Sequence, residues 1–317
     1  MIKIYNTDIV TDKFEEINEY RPGSWVDMIN PSEEEIKTVC SNLNIQEDFI
    51  RYSLDSEEKA RIDYEEDDDT VLFIMDVPIL EQVENHEIYT TMPFGMIVVR
   101  DDFIITVSLK ELDILKDFTI NKVKGFATYM KSRFILQVMY KNSSSYLNYL
   151  KLINRETEIT ENRLKTSMKN KELLKLLDLE KSLVYFITSL RANEAVMERT
   201  IKIKNIKLYE DDEDILEDAI IENKQAIEMS KIYKDILDST MDAYSSIISN
   251  TLNEVMKLLT SITIIISIPT LIASLWGMNV EVPFEIEKYG FGILCGIAFI
   301  VTAITIALLN KKGLLGK

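Results

Sequence analysis

The sequence predicts an α+β domain in the cytoplasm, followed by long helices and a C-terminal hairpin of two transmembrane helices. Short runs of β-branched and aromatic residues lie in the first part of the chain, and neither glycine nor proline occurs from Phe126 to Ile268. Two uncharged apolar runs follow near the C-terminus. These patterns divide the chain into a cytoplasmic α/β domain (1–122), a cytoplasmic long-helix region (123–256) and a transmembrane hairpin with a basic tail (257–317).

The α/β domain is predicted from three short apolar runs that are typical of buried strands, Val71–Met75, Met96–Val99 and Phe103–Val107. The sequence Asn30-Pro31-Ser32-Glu33-Glu34 predicts a helix start, because it combines a capping residue, a proline in the first turn and acids near the positive end of the helix. Trp25 is predicted to be a core residue of this domain.

The long helices are predicted because glycine and proline, the main breakers of helices, are missing from 143 consecutive residues. Two or more amphipathic helices are expected between about residues 126 and 205, and the acidic run Glu210–Asp214 predicts a turn and the start of the next helix. From about Ile215 the helical pattern continues through Met256 into the first apolar run. A helix of about 60 residues would extend roughly 90 Å and would depend on packing against partners for its stability.

The membrane hairpin is predicted from Leu258–Val280, which has 23 residues without charge, and from Tyr289–Asn310, which has 22. Each run exceeds the roughly 20 residues that a helix needs to cross a bilayer. Lysines flank the two runs at Lys257, Lys311, Lys312 and Lys317, whereas the connecting segment carries Glu281, Glu285 and Glu287 with only Lys288. The positive-inside rule therefore predicts a multi-pass protein of the plasma membrane, with both termini in the cytoplasm and an outer acidic loop that attracts cations.

One face of the first apolar run carries polar residues at spacings of three and four, which is the spacing of one face of a helix. This polar seam consists of Asp242, Ser246, Ser249, Asn253, Met256, Thr260, Thr263, Ser267, Thr270 and Ser274. The opposite face carries Leu258, Ile262, Ile265 and Ile266. The seam favours helices gathered around a wet axis, with these residues lining a pore. Hydroxyls that bond back to their own helix at a close helix contact would also give this spacing, but Asn253 and Asp242 on the same line favour the pore.

The seam suits Mg²⁺, an ion that sheds water reluctantly and keeps several waters when it is bound. Neutral oxygens that touch the hydration shell serve such an ion better than tight direct ligands. Two spans cannot enclose a water-filled path, so any pore must be shared by several subunits. Just beyond the seam, Gly277-Met278-Asn279 would then form a selectivity filter, in which several copies of the Asn279 side-chain carbonyl lie beside the backbone carbonyl of Gly277.

The composition excludes several other classes of function. The chain has 53 Asp and Glu against 36 Lys and Arg, a net charge of −17, which argues against nucleic acid as a partner. Two cysteines, Cys40 and Cys295, and one histidine, His86, are too few for the ligand clusters that zinc or copper prefers. No nucleotide-binding loop, nucleophile elbow or paired catalytic carboxylate occurs, so we expect neither an enzyme nor an organic cofactor.

Gly277-Met278-Asn279, placed directly after the first of two C-terminal spans, resembles the motif of the CorA family of divalent-cation (magnesium and cobalt) transport proteins. Ser249–Lys257 is similar to the pore helix of that family, and Trp25, Asn30-Pro31 and Lys59–Asp63 agree with its cytoplasmic part. The resemblance implies a funnel-shaped homopentamer whose motif lies at the outer mouth of the pore and selects hydrated Mg²⁺. It also implies gating by intracellular Mg²⁺ bound between neighbouring cytoplasmic domains.

For that regulatory Mg²⁺, the resemblance indicates Asp218 on the long helix. The usual acidic partner is replaced here by Arg51 and Tyr52, and Asp55 is the nearby acid. The chain also departs from the family at Pro269, which lies one position from the common place of the proline. In the outer loop, Val282-Pro283-Phe284-Glu285 replaces the frequent Met-Pro-Glu element.

The predicted function is a magnesium channel, also permeable to cobalt or nickel, that passes hydrated ions into the cytoplasm down their electrochemical gradient. Its expected partners are further copies of the chain, membrane lipid and divalent cations. One alternative is a zinc transporter of the ZntB type, which shares the motif but is disfavoured by the poverty in cysteine and histidine. Another is a membrane-anchored coiled-coil scaffold that conducts nothing, although such an anchor has no need of a polar seam.

Overall fold

The computed structural model describes residues 1–65, 69–83, 86–100, 102–166, 170–200, 211–279 and 289–315. The chain forms two compact units, Met1–Asp238 and Ser239–Lys317. The first unit contains a seven-stranded sheet with its helices, and the second contains two apolar helical segments. The domain boundaries expected near residues 122 and 256 stay predictions.

The strands are β1 (Ile2–Thr7), β2 (Phe14–Ile17), β3 (Ser24–Ile29), β4 (Arg61–Glu65), β5 (Thr70–Val83), β6 (His86–Val99) and β7 (Phe103–Ser108). The helices are α1 (Glu33–Leu43), α2 (Glu47–Tyr52), α3 (Asp113–Thr119), α4 (Lys131–Thr166), α5 (Asn170–Thr200), α6 (Asp212–Trp276) and α7 (Gly290–Lys311). This order confirms the predicted sequence of an α/β part, long helices and two C-terminal apolar helices.

The sheet has the strand order β2-β1-β3-β7-β6-β5-β4. Its central pair, β3 and β7, is parallel, and the other neighbouring strands are antiparallel. The three predicted strand runs lie within β5, β6 and β7. Apolar side chains project from both faces of the sheet, and helices cover both faces. Helices α1 and α2 lie on one side, and α3, α4, α5 and the start of α6 lie on the other.

Trp25 is fully buried, which confirms its predicted place in the core. Its indole Nε1 donates a hydrogen bond to Thr106 Oγ1 (2.8 Å), and the Thr106 hydroxyl donates to the carboxylate of Asp27 (2.7 Å). Burial raises the pKa of Asp27 to about 6. This chain of bonds supplies each of the three buried polar groups with a partner, as a low-dielectric core requires.

Helix α1 starts where the sequence predicted a helix start. Ser32 Oγ accepts from the Glu35 amide (3.2 Å), and the Glu35 carboxylate accepts from the Ser32 amide (2.8 Å), which is a capping box. Asn44 ends the helix in the left-handed conformation, with a φ of 53°. The local sequence is therefore sufficient to fix both ends of α1.

Strand β5 is longer than the sequence predicted, since it continues from the Val71–Met75 run to Val83. The pattern is interrupted at Asp76 and Pro78, which are unfavourable in a central strand. In the structure, β4 pairs with β5 only as far as Ile74. Beyond this point no described strand lies next to the outer edge of β5, so the missing amide hydrogen of Pro78 is tolerated there.

Side chains from α4 and α5 satisfy the backbone at this open edge of β5. The carbonyl oxygen of Asp76 accepts from Asn142 Nδ2 (2.8 Å), Asn193 Nδ2 (2.8 Å) and the Tyr146 hydroxyl (3.1 Å). The Asp76 amide donates to Asn193 Oδ1 (2.9 Å). All three helix side chains are buried. They replace a missing strand and attach the long helices to the sheet at one residue.

The start of α6 is fixed to the same unit by buried polar contacts. The fully buried carboxylate of Asp212 accepts from Ser132 Oγ (3.1 Å) and Arg133 Nε (2.9 Å), both on α4. Further along, Asn223 Nδ2 donates to the carbonyl oxygen of Leu190 on α5 (2.9 Å). The N-terminal part of α6 is therefore held by side chains of α4 and by the backbone of α5.

The capping of β5 predicts that Asn193→Leu destabilises the first unit by about 1–3 kcal/mol, because the variant leaves the buried Asp76 amide without a partner. The melting temperature of the purified protein should therefore fall by roughly 2–4 °C per kcal/mol. Asn154→Leu is the matched control, since the Asn154 amide bonds only to exposed Glu158. Equal melting temperatures for Asn193→Leu and Asn154→Leu would contradict the account.

Candidate functional site

Among the described residues, α6 and α7 are the helices that are long and apolar enough to cross a membrane. All ten residues of the polar seam lie on α6, and all ten are exposed in the chain. A shallow groove follows the membrane part of the seam, where Thr263, Ser267, Thr270 and Ser274 alternate with apolar neighbours. The seam is thus a continuous polar strip on a helix whose other residues at this level are apolar, apart from Ser261.

The face of α6 opposite the seam packs against α7. The less exposed residues of the α6 span are Ser261, Ile265, Ile268, Pro269, Ile272 and Trp276, and those of α7 are Gly290, Leu294, Ala298, Thr302, Thr305 and Leu309. Each set recurs at helical spacing and forms one face. At 100° per residue, the α6 set lies about half a turn from the seam. The hairpin therefore uses the apolar face of α6, and no described residue of the hairpin covers the seam.

Two contacts mark the ends of this hairpin. The rings of Trp276 and Phe291 lie 6.5 Å apart between centroids at the end of α6. At the other end of the spans, Ser261 Oγ lies 2.9 Å from the carbonyl oxygen of Leu314, just after α7. The two helices are therefore antiparallel along their whole membrane length.

The hydroxyl groups of the seam bond to the backbone of their own helix. Thr260, Thr263, Ser267 and Thr270 each donate to the carbonyl oxygen four residues earlier, at 2.7–3.0 Å. This is the arrangement considered in the close-packing alternative. It has a second consequence: a hydroxyl that has donated its single hydrogen offers only the lone pairs of its oxygen to whatever lies beyond the helix.

Pro269 lies on the face that meets α7, away from the seam. It has no amide hydrogen, so the carbonyl of Ile265 loses its regular helical donor on that same face. Helix α6 nevertheless continues through Pro269 to Trp276. The proline therefore leaves the seam spacing from Thr260 to Ser274 undisturbed.

The tripeptide Gly277-Met278-Asn279 follows the last residue of α6 and is exposed. The Gly277 amide donates to the carbonyl oxygen of Ala273 (3.0 Å), so the tripeptide begins as a tight continuation of the helix. A Cβ atom built on Gly277 would meet only ordinary contacts, the nearest being Ala273 O at 3.4 Å. Among the described residues of one chain, nothing steric requires glycine at this position.

The three glutamates predicted to attract cations at the outer mouth, Glu281, Glu285 and Glu287, lie outside the described residues. At the other end of the seam, Asp242 is exposed on α6, and its backbone carbonyl accepts from Ser246 Oγ (3.0 Å). Between Asn253 and Ser274, the seam residues are all neutral.

The two residues expected to bind regulatory Mg²⁺ are exposed but lie on different sides of the sheet. Asp55 follows α2, which covers one face, whereas Asp218 lies on α6 beside Leu216 and Ala219, which pack on the other. Within the described ranges, no three His, Cys, Asp or Glu side chains come close enough together to hold a metal ion.

Arg51, which stands where the resemblance led us to expect an acid, is a cation that is already paired. Arg51 donates to Glu33 (2.7 Å) and to Glu47 (2.8 Å), and these hydrogen bonds raise the pKa of its guanidinium. Tyr52 stacks beneath the guanidinium of Arg61, 4.9 Å from its ring centroid. Neither side chain is free to bind a cation.

Sequence reasoning missed one polar residue of the hairpin, Ser261. It is 1% exposed and lies on the face that meets α7, where its neighbours are isoleucines and Pro269. The available signal was its position directly after Thr260, about 100° away from the seam. Its hydrogen-bond partner after α7 lies 53 residues later and could not be inferred from the pattern.

Comparisons with known proteins agree over nearly the whole chain. The profile of one family, described as "CorA-like Mg2+ transporter protein", matches residues 23–312. The cobalt/magnesium transport protein CorA of Methanocaldococcus jannaschii is 28% identical over 318 aligned residues, which cover 96% of this chain and 96% of the relative.

Solved structures are also similar. The complete structure of the CorA magnesium transporter from Methanocaldococcus jannaschii superposes with a TM-score of 0.82 at 25% identity, covering 99% of this chain and 98% of that one. The ZntB cytoplasmic domain from Vibrio parahaemolyticus has a TM-score of 0.61 at 10% identity, covering 78% of this chain and 98% of that domain. The second similarity concerns the fold alone.

Proposed function

The chain belongs to the CorA-like Mg²⁺ transporter family, and from this premise we propose that it is a plasma-membrane channel for hydrated divalent cations. Mg²⁺ is the proposed substrate, with Co²⁺ and Ni²⁺ also permeant, and the ions enter the cytoplasm down their electrochemical gradient. The observation that carries the proposal is the polar seam of α6, which is uncharged from Asn253 to Ser274 and stays exposed while α7 packs on the opposite face. By the positive-inside rule, both termini lie in the cytoplasm.

The proposed pore is formed by several copies of the chain. One hairpin cannot surround a water-filled path, but several α6 helices with their seams turned inward can. The number we propose is five, following the family resemblance. In this arrangement α7 lies outside α6, next to lipid, because it occupies the face of α6 away from the seam. The exposed apolar side chains of α7, such as Phe291, Phe299 and Ile300, suit that place.

The chemistry of the seam suits an ion that keeps its water. Water molecules around Mg²⁺ point their hydrogens outward, and they therefore seek hydrogen-bond acceptors. Thr260, Thr263, Ser267 and Thr270 have donated their hydrogens to the helix, so their oxygens are available as acceptors. Successive rings of such oxygens would support a hydrated ion without the cost of removing its shell. The remaining seam residues, Asp242, Ser246, Ser249, Asn253, Met256 and Ser274, would complete the lining.

The proposed selectivity filter is Gly277, Met278 and Asn279. The amide oxygens of Asn279 from each subunit would form an outer ring of neutral acceptors, beside the backbone carbonyl of Gly277. A Cβ atom on Gly277 is accommodated by the described residues, so we propose that a requirement for glycine arises from neighbouring subunits or from the ion path. Glu281, Glu285 and Glu287 would concentrate cations outside the filter, and Asp242 would attract them at the inner end.

Regulation is proposed to come from Mg²⁺ bound between subunits, at Asp218 and Asp55. The support is that both carboxylates are exposed and lie on different sides of the sheet in one chain, so that neighbouring subunits could present them to each other. Loss of the ion would leave two acidic surfaces in repulsion, which favours an open arrangement. Since Arg51 is engaged by Glu33 and Glu47, it does not neutralise this site.

Zinc transport is the alternative within the same fold. The similarity to a ZntB domain supports only the shared architecture. Zinc prefers nitrogen and sulfur ligands, whereas the seam offers hydroxyl and amide oxygens, and Cys295 lies on α7 instead. Magnesium is therefore the better-supported substrate. A non-conducting scaffold is disfavoured by the family and by the seam.

The filter assignment predicts that Asn279→Ala lowers Mg²⁺ flux into proteoliposomes roughly tenfold or more under a fixed membrane potential, with assembly unchanged, because the outer ring of acceptors is lost. Asn250→Ala is the matched control, since Asn250 is exposed on α6 but lies off the seam. Wild-type flux of Mg²⁺ well above that of Zn²⁺ is expected in the same assay. Unchanged Mg²⁺ flux in Asn279→Ala would show that the filter lies elsewhere.

The regulatory assignment predicts that Asp218→Asn needs a severalfold higher cytoplasmic Mg²⁺ concentration for inhibition, because one carboxylate of each intersubunit site is lost. Flux would be measured at a series of Mg²⁺ concentrations on the cytoplasmic face. Glu217→Gln removes the same charge from the neighbouring exposed position and should leave inhibition as in the wild type. Inhibition of both variants at the wild-type concentration would refute a role for Asp218.

A further inference from the structure

The C-terminal end of α7 closes with a tight turn that folds the chain back onto the hairpin. The Gly313 amide donates to Asn310 O (2.9 Å) and the Leu314 amide donates to Leu309 O (3.0 Å), with Gly313 in the left-handed conformation at a φ of 66°. These bonds define a Schellman motif, in which glycine is favoured at the left-handed position. The turn fixes the direction of the chain at Leu314.

Ser261 connects this turn to α6. Its oxygen lies 2.8 Å from the carbonyl oxygen of Lys257 and 2.9 Å from that of Leu314. One hydroxyl is therefore shared between the backbone of α6 and the residue after the turn. Because Ser261 is almost fully buried, water does not compete for these bonds.

This connection brings three lysines to one level of the hairpin. Lys257 lies one helical turn before Ser261, and Lys311 and Lys312 lie directly before Gly313. All three are exposed, and none forms an ion pair with a described residue. The acid nearest in sequence is Glu254, which is exposed one turn further from the span. We name Lys257, Lys311 and Lys312 the basic shelf.

We propose that the basic shelf binds the phosphate headgroup of an anionic phospholipid in the cytoplasmic leaflet. The shelf lies where both apolar helices end, which is the level of lipid headgroups. It also lies on the side of α6 that meets α7, away from the seam, and so remains accessible to lipid when the seams face a shared pore. Lysine stems can lie along the apolar helices while their ammonium groups reach the phosphate.

The basic shelf differs from three separate surface charges, because the Ser261 hydrogen bond connects the helix that carries Lys257 to the turn after Lys311 and Lys312. Among the described residues, the Ser261–Leu314 hydrogen bond is the polar contact that joins α6 to the turn after Lys311 and Lys312. A fixed cluster of cations loses less freedom when it binds one headgroup than separate lysines would. The geometry therefore favours a bound lipid over diffuse attraction, and it does so whichever divalent cation the protein carries.

The test is native mass spectrometry of the full-length protein in mild detergent, titrated with phosphatidylglycerol or with phosphatidylcholine. We expect tighter retention of phosphatidylglycerol and roughly fivefold weaker retention for each of Lys257→Gln, Lys311→Gln and Lys312→Gln. Lys311→Arg with Lys312→Arg should retain the lipid, and Lys151→Gln, an exposed lysine of α4, should behave as the wild type. Two results would overturn the proposal. One is equal retention of both lipids, and the other is wild-type retention of phosphatidylglycerol when Lys257→Gln, Lys311→Gln and Lys312→Gln are combined.

Two further experiments test the role of the Ser261 connection and distinguish a lipid headgroup from free phosphate. Ser261→Ala changes no charge but removes the connecting hydroxyl, so retention of phosphatidylglycerol should fall severalfold. Wild-type retention in this variant would show that the connection plays no part. Millimolar inorganic phosphate should not displace the lipid, and complete displacement would show that the shelf recognises free phosphate rather than a headgroup in the membrane.

Discussion

The hydrocarbon core of a membrane offers no water to an unpaired polar group, and the second unit of this protein is organised by that constraint. Helix α6 carries hydroxyl groups on two faces at membrane depth. On one face, Ser261 is buried, and its single hydroxyl hydrogen is shared between the carbonyl oxygens of Lys257 and Leu314. On the other face, the seam hydroxyls bond to their own helix and remain exposed. The first face is complete within the chain, whereas the second requires either water or other subunits.

This division assigns different tasks to the two faces of one helix. The face with Ser261 and Pro269 meets α7 and defines the hairpin, including the turn that positions the C-terminal lysines. The seam offers oxygen lone pairs without hydrogens, which is the polarity that the outward-pointing hydrogens of hydrated Mg²⁺ require. The two interpretations of the seam, self-bonded hydroxyls and a wet path, are therefore compatible. The first describes where the hydrogens are, and the second describes what the oxygens contact.

Much of this organisation is local and could be predicted from the sequence. The helix start at Ser32, the two spans and the spacing from Thr260 to Ser274 depend on neighbours within a few residues. Features that depend on distant partners were missed. The length of β5 depends on Asn142, Tyr146 and Asn193, which cap an edge more than 60 residues away in sequence. The role of Ser261 depends on Leu314 in the same way, and the roles proposed for Asn279 and Asp218 depend on neighbouring subunits.

The central claim is that the seam of α6 lines the path of the ion, and a titratable ring placed within it tests this most directly. Ser267→His would introduce an imidazole that is neutral at pH 8 and charged below about pH 6.5. The account predicts that Mg²⁺ flux in this variant is lost at pH 5.5 and restored at pH 8, because a ring of positive charge repels the ion. Cys295→His on α7 should follow the pH profile of the wild type. A pH profile of Mg²⁺ flux in Ser267→His that matches the wild type would contradict the claim.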